Sequence, residues 1–126
     1  MKLLPDAGTG YTIDSYDGQW ISVNGEKHTS SIVLSASHGL QLWDCANFES
    51  LTPGHFTALA RLQPELVVFG SGLRLRFPRP QWLEGLYAQR IGVETMDTQA
   101  ACRTFNFLVG EGRQVVAALL MESGKP

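Results

Sequence analysis

The 126-residue chain carries ten basic and twelve acidic residues for a net charge of −2, and its 44% hydrophobic and 17% charged content is that of one globular domain. That balance excludes non-specific nucleic-acid binding, which needs a basic face to neutralise many phosphates. No run reaches the roughly 18–20 apolar residues of a membrane span, and the opening Met-Lys-Leu-Leu-Pro-Asp is too short an apolar run for a signal peptide, so a cytoplasmic location is expected.

Residues up to Gly10 read as a loosely tied lead-in, and the ordered core of the single domain is expected over about 10–121. From Tyr11 the pattern is β: Tyr11, Ile13 and Ser15 alternate with Thr12, Asp14 and Tyr16. Asp17-Gly18 and Asn24-Gly25 are signals for type I′ hairpin turns, which need positive φ at both central residues. Residues 20–23 form the return strand. Residues 26–36 form a third, most buried at Ile32, Val33 and Leu34, and residues 40–43 add a short one. Thr52 then caps a helix with Pro53 at its first position, where the missing N–H costs nothing. Gln63-Pro64 ends that helix. Leu66, Val67, Val68 and Phe69 are apolar without alternation, as in a central strand covered on both sides.

The strand runs into Gly70-Ser71-Gly72, with Arg74 and Arg76 close behind. Pro78 and Pro80 frame a helix that runs to about Gln89, with Trp82, Leu83, Leu86 and Tyr87 as its apolar face. Residues 91–95 form another strand. Asp97 or Thr98 caps the next helix, with Ala101, Phe105 and Leu108 on one face and Gly110 or Gly112 as its stop. Residues 115–121 form the last strand. The second half is thus a βαβαβ succession whose three strands should be largely parallel. The fold class predicted is α/β: a three-layer β/β/α domain with a mixed central sheet, helices on one face and the N-terminal antiparallel meander on the other.

The glycine loop is the principal candidate site. In open α/β sheets ligands sit beyond the carboxyl ends of strands. Glycines there permit close backbone approach, and successive N–H groups can cradle an anion. The candidate ligand- or partner-binding set is Gly70, Ser71, Gly72, Arg74 and Arg76, with Asp97 and Thr98 across a cleft, and Arg103. The other reading is a tight turn that lets a buried strand exit. The loop lacks the third glycine of a dinucleotide fingerprint and the Gly-Lys-Ser/Thr of a P-loop, and Phe69 and Leu73 occupy the outer positions of a Gly-x-Ser-x-Gly elbow. His28, His38 and His55 have no metal-ligand spacing, with each other or with the cysteines, so neither a metal nor a cofactor is expected. Cys45 and Cys102 are expected to be free and buried; Cys102, in the first turn of its helix beside Arg103, reads as packed and inert. Asp97, Thr98, Arg103, Asn106, Glu111 and Arg113 read as caps and surface ion pairs, or else as groups that lock the last helix to the last strand or form a recognition surface. No catalytic set is evident.

The run Leu-Val-Val-Phe-Gly-Ser-Gly at 66–72, together with Ile-Gly-Val-Glu-Thr-Met-Asp-Thr, Ala-Cys-Arg-Thr-Phe-Asn and Glu-Gly-Arg between 91 and 113, resembles the Mth938-like domain-of-unknown-function family. That family includes archaeal and bacterial single-domain proteins and the mitochondrial complex I assembly factor three. The resemblance implies the β/β/α fold and brings no catalytic residues; the family usually has threonine at the position of Ser71, so a hydroxyl is kept. The chain looks like a free-standing bacterial member. What the resemblance implies for function is an interaction protein, with a protein partner, that assists assembly of respiratory NADH dehydrogenase. The alternative is a small-molecule or anion-binding domain, or an enzyme, using the glycine loop.

Overall fold

A computed structural model describes residues 10–122. Expectations for residues 1–9 and 123–126 lie outside the described residues. Two sheets are present. The smaller is antiparallel, order β1-β2-β3, from Ile13–Tyr16, Ile21–Val23 and Glu26–His28. The larger is mixed, order β5-β4-β8-β6-β7. It comprises β4 (Ile32–Ser35), β5 (Gly39–Leu42), β6 (Leu66–Gly70), β7 (Gly92–Met96) and β8 (Val115–Leu119). As expected from the βαβαβ order, β6 is parallel to both β7 and β8, while β4 pairs antiparallel with β8 and β5.

The alternation of side chains across the large sheet divides the core in two. Val33, Val67, Phe69, Val116 and Ala118 face one side, where they meet Trp43, Phe56, Trp82, Leu83 and Leu86. Ile32, Leu34, Val68, Val115, Ala117 and Leu119 face the other and meet Ile13, Ile21, Val23, Ala101, Cys102 and Phe105. The continuous apolar runs of β6 and β8 follow from this burial on both faces. Aromatic rings weld the first layer: Phe56 meets Phe69 edge-on at 5.2 Å and stacks on Trp82 at 6.0 Å.

The mixed three-layer architecture matches the expectation; the distribution of helices over it differs in one respect. The first two helices, α1 (Pro53–Thr57) and α2 (Glu84–Tyr87), contribute Phe56 and Leu86 to one layer. The long α3 (Thr98–Gly110) shares the opposite face with the small sheet. The cause is strand order. From β6 the chain moves outward to β7, then returns past β6 to β8. Crossovers of one hand that travel in opposite directions along a sheet must lie on opposite faces.

Local departures have local causes. The segment read as one strand over 26–36 breaks at residues 29–31, and its halves join different sheets. The buried Ser31 holds the break: its hydroxyl accepts from Met121 N–H at 2.8 Å, and its carbonyl accepts from Trp43 N–H at 3.0 Å. Asn24 and Gly25 have φ of 49° and 87°, as a type I′ turn needs. Asp17-Gly18 does not form one. A four-residue loop joins Tyr16 to Ile21, and the Asp17 carboxylate accepts from the N–H groups of Gln19 at 2.7 Å and Trp20 at 3.2 Å. This Asx-type turn removes the need for positive φ. The helix after Thr52 tightens into a 3₁₀ turn over Ala58–Leu62 and stops at Gln63 in the left-handed region, φ 53°. The helix after Pro80 also starts as a 3₁₀ turn, Pro80–Leu83.

Candidate functional site

Asp97 caps α3 by accepting from Ala100 N–H at 2.9 Å, which places Thr98 at the first helical position beside the end of β6. Gly70 is required there: a Cβ would stand 2.9 Å from Thr98 Cα and 3.1 Å from Ala101 Cβ. Gly72 is required for a second reason. Its φ is +102°, and a Cβ would stand 2.6 Å from an Arg76 guanidinium nitrogen.

The loop and the helix start are bonded directly to each other. Gly72 N–H donates to Thr98 Oγ1 at 2.8 Å, Thr98 N–H donates to Gly72 O at 2.9 Å, and the Thr98 hydroxyl donates onward to Leu120 O at 2.8 Å. Ser71 N–H donates to Met96 O at 2.8 Å. The Ser71 hydroxyl is fully buried; it lies 2.7 Å from Arg74 O and 3.2 Å from Met96 O, and accepts from Arg76 N–H at 2.9 Å. A hydroxyl so engaged, fully buried, with its proton directed at backbone carbonyls and one lone pair held by Arg76 N–H, serves as a structural knot.

Arg76 is likewise turned inward. Its Nε and Nη2 donate to Ser71 O at 3.2 and 2.7 Å, and Nη2 also pairs with the Glu122 carboxylate. The guanidinium lies 4.7 Å over the Phe48 ring, whose own backbone N–H donates to Glu122 at 2.8 Å. Both charged side chains are only 18% exposed. Glu122, one residue past the ordered core expected from sequence, thus locks the segment after the last strand to the loop and to the 3₁₀ turn Phe48–Ser50. The space left beside the loop, lined by Asp17, Gly72, Leu73, Asp97, Gln99 and Glu122 among others, is about 20 Å³, room for roughly one water molecule.

Of the candidate residues, Gly70, Ser71, Gly72, Arg76 and Thr98 are therefore brought together, with Asp97 adjacent as the cap. Arg74 is exposed on the loop's outer side. Arg103 is elsewhere: its guanidinium donates to the Tyr16 hydroxyl at 3.2 Å, tying α3 to the small sheet, and that bond holds its charge still more firmly. Asn106 makes a second tie, accepting from Ile13 N–H at 3.0 Å and donating to Ile13 O at 2.7 Å. Arg113 pairs with Glu65 at 3.0 Å. The Gln114 N–H, then Arg113, holds the Glu65 carboxyl below its usual range. The Asp97 cap and the Arg113 ion pair expected from sequence are present, whereas Arg103 and Asn106 tie α3 to the small sheet and not to the last strand. The signal for the Asn106 clamp was its helical spacing from Arg103; nothing in the local sequence marks Glu122.

Both cysteines are free and buried. Burial raises the Cys45 thiol, and it pushes the Cys102 thiol up to about 12 despite the neighbouring Arg103, so neither is a ready nucleophile. His55 is a structural group: Nδ1 accepts from Thr52 N–H at 3.0 Å, which leaves Nε2 to donate to Asp44 O at 2.6 Å. Among the described residues no three His, Cys, Asp or Glu side chains are grouped to hold a metal ion, and no helix is long and apolar enough to cross a membrane.

Architecture and site together define a small mixed α/β domain whose glycine loop is a bonded junction. The chain belongs to the family described as protein of unknown function DUF498/DUF598, whose profile matches residues 13–120. It is 34% identical over 97% of its length to human NADH dehydrogenase [ubiquinone] 1 alpha subcomplex assembly factor 3, of which it spans 67%. A crystal structure of a Bordetella parapertussis protein superposes with a TM-score of 0.86 at 34% identity, covering 91% of this chain and 98% of that one. The solution structure of a Bordetella pertussis protein described as a Mth938-like domain gives 0.82 at 29% identity, covering 98% and 94%.

Proposed function

We propose that the protein is a non-enzymatic interaction protein that assists assembly of a respiratory NADH dehydrogenase through protein contact, acting in the cytoplasm of a bacterial cell. The observation that carries this reading is the 34% identity to the human assembly factor over nearly the whole chain. The bonded glycine loop supports it, because the residues that could have served catalysis or anion binding are spent on one another. The loop then acts as a rigid base for the surface beside it.

The test is affinity capture of the tagged protein from its native cell in mild detergent, together with a deletion strain. Capture of NADH dehydrogenase subunits and a fall in assembled enzyme on native gels are expected. Capture of no respiratory subunit, with normal enzyme levels in the deletion strain, refutes the proposal.

A further inference from the structure

Among the described residues, the large apolar side chains left exposed include three within five positions: Leu73 at 66%, Leu75 at 51% and Phe77 at 70%. Between them Arg74 is exposed and Arg76 is turned inward, and the next residue, Pro78, is buried. From Leu75 on, this is the period-two alternation of an extended strand, yet the segment belongs to neither sheet. Its backbone shows the same polarity. Arg76 N–H and Arg74 C=O are both held by the Ser71 hydroxyl, on the side facing the domain. Among the described residues, Leu73, Leu75 and Phe77 make no backbone hydrogen bond. In an extended chain the N–H and C=O groups of successive residues point to opposite edges. After the bend at 72–74, the strip from Leu75 therefore has one edge pinned to the glycine loop and one edge open, with an apolar row alongside. An open edge and a contiguous apolar patch are each marks of a docking surface.

Charge restricts the occupant. No acidic residue lies between Glu65 and Glu84, whereas Arg74 and Arg79 are both exposed. Asp17 and Asp97 stand near the Leu73 end, and their carboxylates add negative charge there while accepting from backbone N–H groups of Gln19, Trp20 and Ala100, so the basic character belongs to the Arg74–Arg79 part of the strip. A second copy docked strip to strip about a two-fold axis would bring Arg74 of one copy close to Arg79 of the other, a like-charge juxtaposition that opposes self-pairing.

We infer that the strip at residues 73–79 is a β-augmentation site for an extended segment of a partner protein in which apolar residues alternate with Asp or Glu. Main-chain bonds to Leu75 and Phe77 give the segment its purchase, the apolar row of Leu73, Leu75 and Phe77 covers its non-polar side chains, and Arg74 and Arg79 select its charge. The inference rests on the interaction reading above, and its test does not depend on the partner being a respiratory enzyme.

The test is selection of random dodecapeptides displayed on phage against the intact protein, with counter-selection against a Leu73→Ser/Leu75→Ser/Phe77→Ser variant. Selected peptides are then measured by fluorescence anisotropy, with circular dichroism confirming that each variant folds. Enriched peptides are expected to alternate apolar and acidic residues, to bind both the triple variant and Arg74→Glu/Arg79→Glu at least about tenfold more weakly, and to slow amide exchange at residues 75 and 77. No enrichment over the triple variant overturns the inference, as does enrichment of peptides without acidic residues. A wild-type dimer that dissociates in the triple variant also overturns it, by assigning the strip to a second copy. Peptide binding with no respiratory subunit captured from cells would refute the assembly role alone.

Discussion

Gly70→Ala tests the account of the loop as a bonded junction. The added methyl would lie 2.9 Å from Thr98 Cα, 3.0 Å from Thr98 Oγ1 and 3.1 Å from Ala101 Cβ. Two of these atoms belong to the backbone or to the first side-chain atom of α3, so no flexible side chain can swing away. Relief requires α3 to move by roughly half an ångström from β6, which lengthens the Gly72–Thr98 and Thr98–Leu120 bonds at the same time. Overpacking of a tight contact costs about 1–3 kcal/mol, and the coupled bonds put the expectation at the upper end, about 2–3 kcal/mol. At about 4 °C per kcal/mol for a domain of this size, Tm should fall by roughly 8–12 °C. Gly110→Ala is the control: its Cβ meets nothing within 4 Å and its φ is not positive. Placed at the end of α3, that alanine should be neutral or stabilising by up to about 1 kcal/mol. Urea denaturation of both variants measures the pair. A Gly70→Ala loss below about 0.5 kcal/mol would refute the close-packed junction.

Other substitutions separate the remaining links. Asn106→Ala strands Ile13 N–H and C=O and should cost about 1–3 kcal/mol, with amide exchange accelerated in β1 before the large sheet; uniform acceleration would argue against a local clamp. Asp97→Ala removes the α3 cap and should cost about 1 kcal/mol, while Asp97→Asn should cost little; chemical denaturation distinguishes them. Because burial raises the Cys102 pKa from about 9 to about 12, the neutral thiol is the form the fold favours. Its contribution is fully present below about pH 9 and is lost as pH rises toward 12, and Cys102→Ala should flatten that part of the stability profile. At pH 8 the native protein should show neither thiol reactive toward a disulfide reagent within minutes, and both after denaturation; a fast native thiol would contradict the burial of Cys45 and Cys102.

Much of the fold was legible because it rests on short-range chemistry. Asp97 as a cap, Asn24-Gly25 as a turn and the unbroken apolar run of β6 each declare themselves within a few residues. Three features did not, for physical reasons. Ser31 ends one strand and starts another through bonds to Met121 and Trp43, residues 90 and 12 positions away, so 26–36 read as one strand. Glu122 is a plain carboxylate near a chain end until the fold brings Arg76 and the Phe48 N–H to it. The face taken by α3 depends on β8 inserting between β4 and β6, which no local pattern encodes.

That insertion also explains the fate of the candidate site. Connections leaving β6 and β7 go to opposite faces of the sheet, and in open α/β sheets such a reversal opens a crevice at the strands' carboxyl ends. Here the crevice is where Gly70-Ser71-Gly72 meets the start of α3, so reading ligand-binding potential into the glycines followed a sound rule. The chain fills the crevice itself. Thr98 and Ser71 supply the hydroxyls, Arg76 the charge and Glu122 its counter-charge. Those groups are bonded to one another across the junction. What the junction does offer is rigidity to the segment that leaves it: Ser71 grips Arg74 and Arg76 by their backbones, which is what holds Leu73, Leu75 and Phe77 outward in solvent. A Ser71→Ala substitution should therefore act on both levels at once. It should cost about 1–2 kcal/mol for the unpaired, partly buried backbone groups, and at temperatures where the variant stays folded it should still weaken peptide capture by the strip. Loss of stability with capture unchanged would show that the strip is held by its apolar contacts and not by the loop.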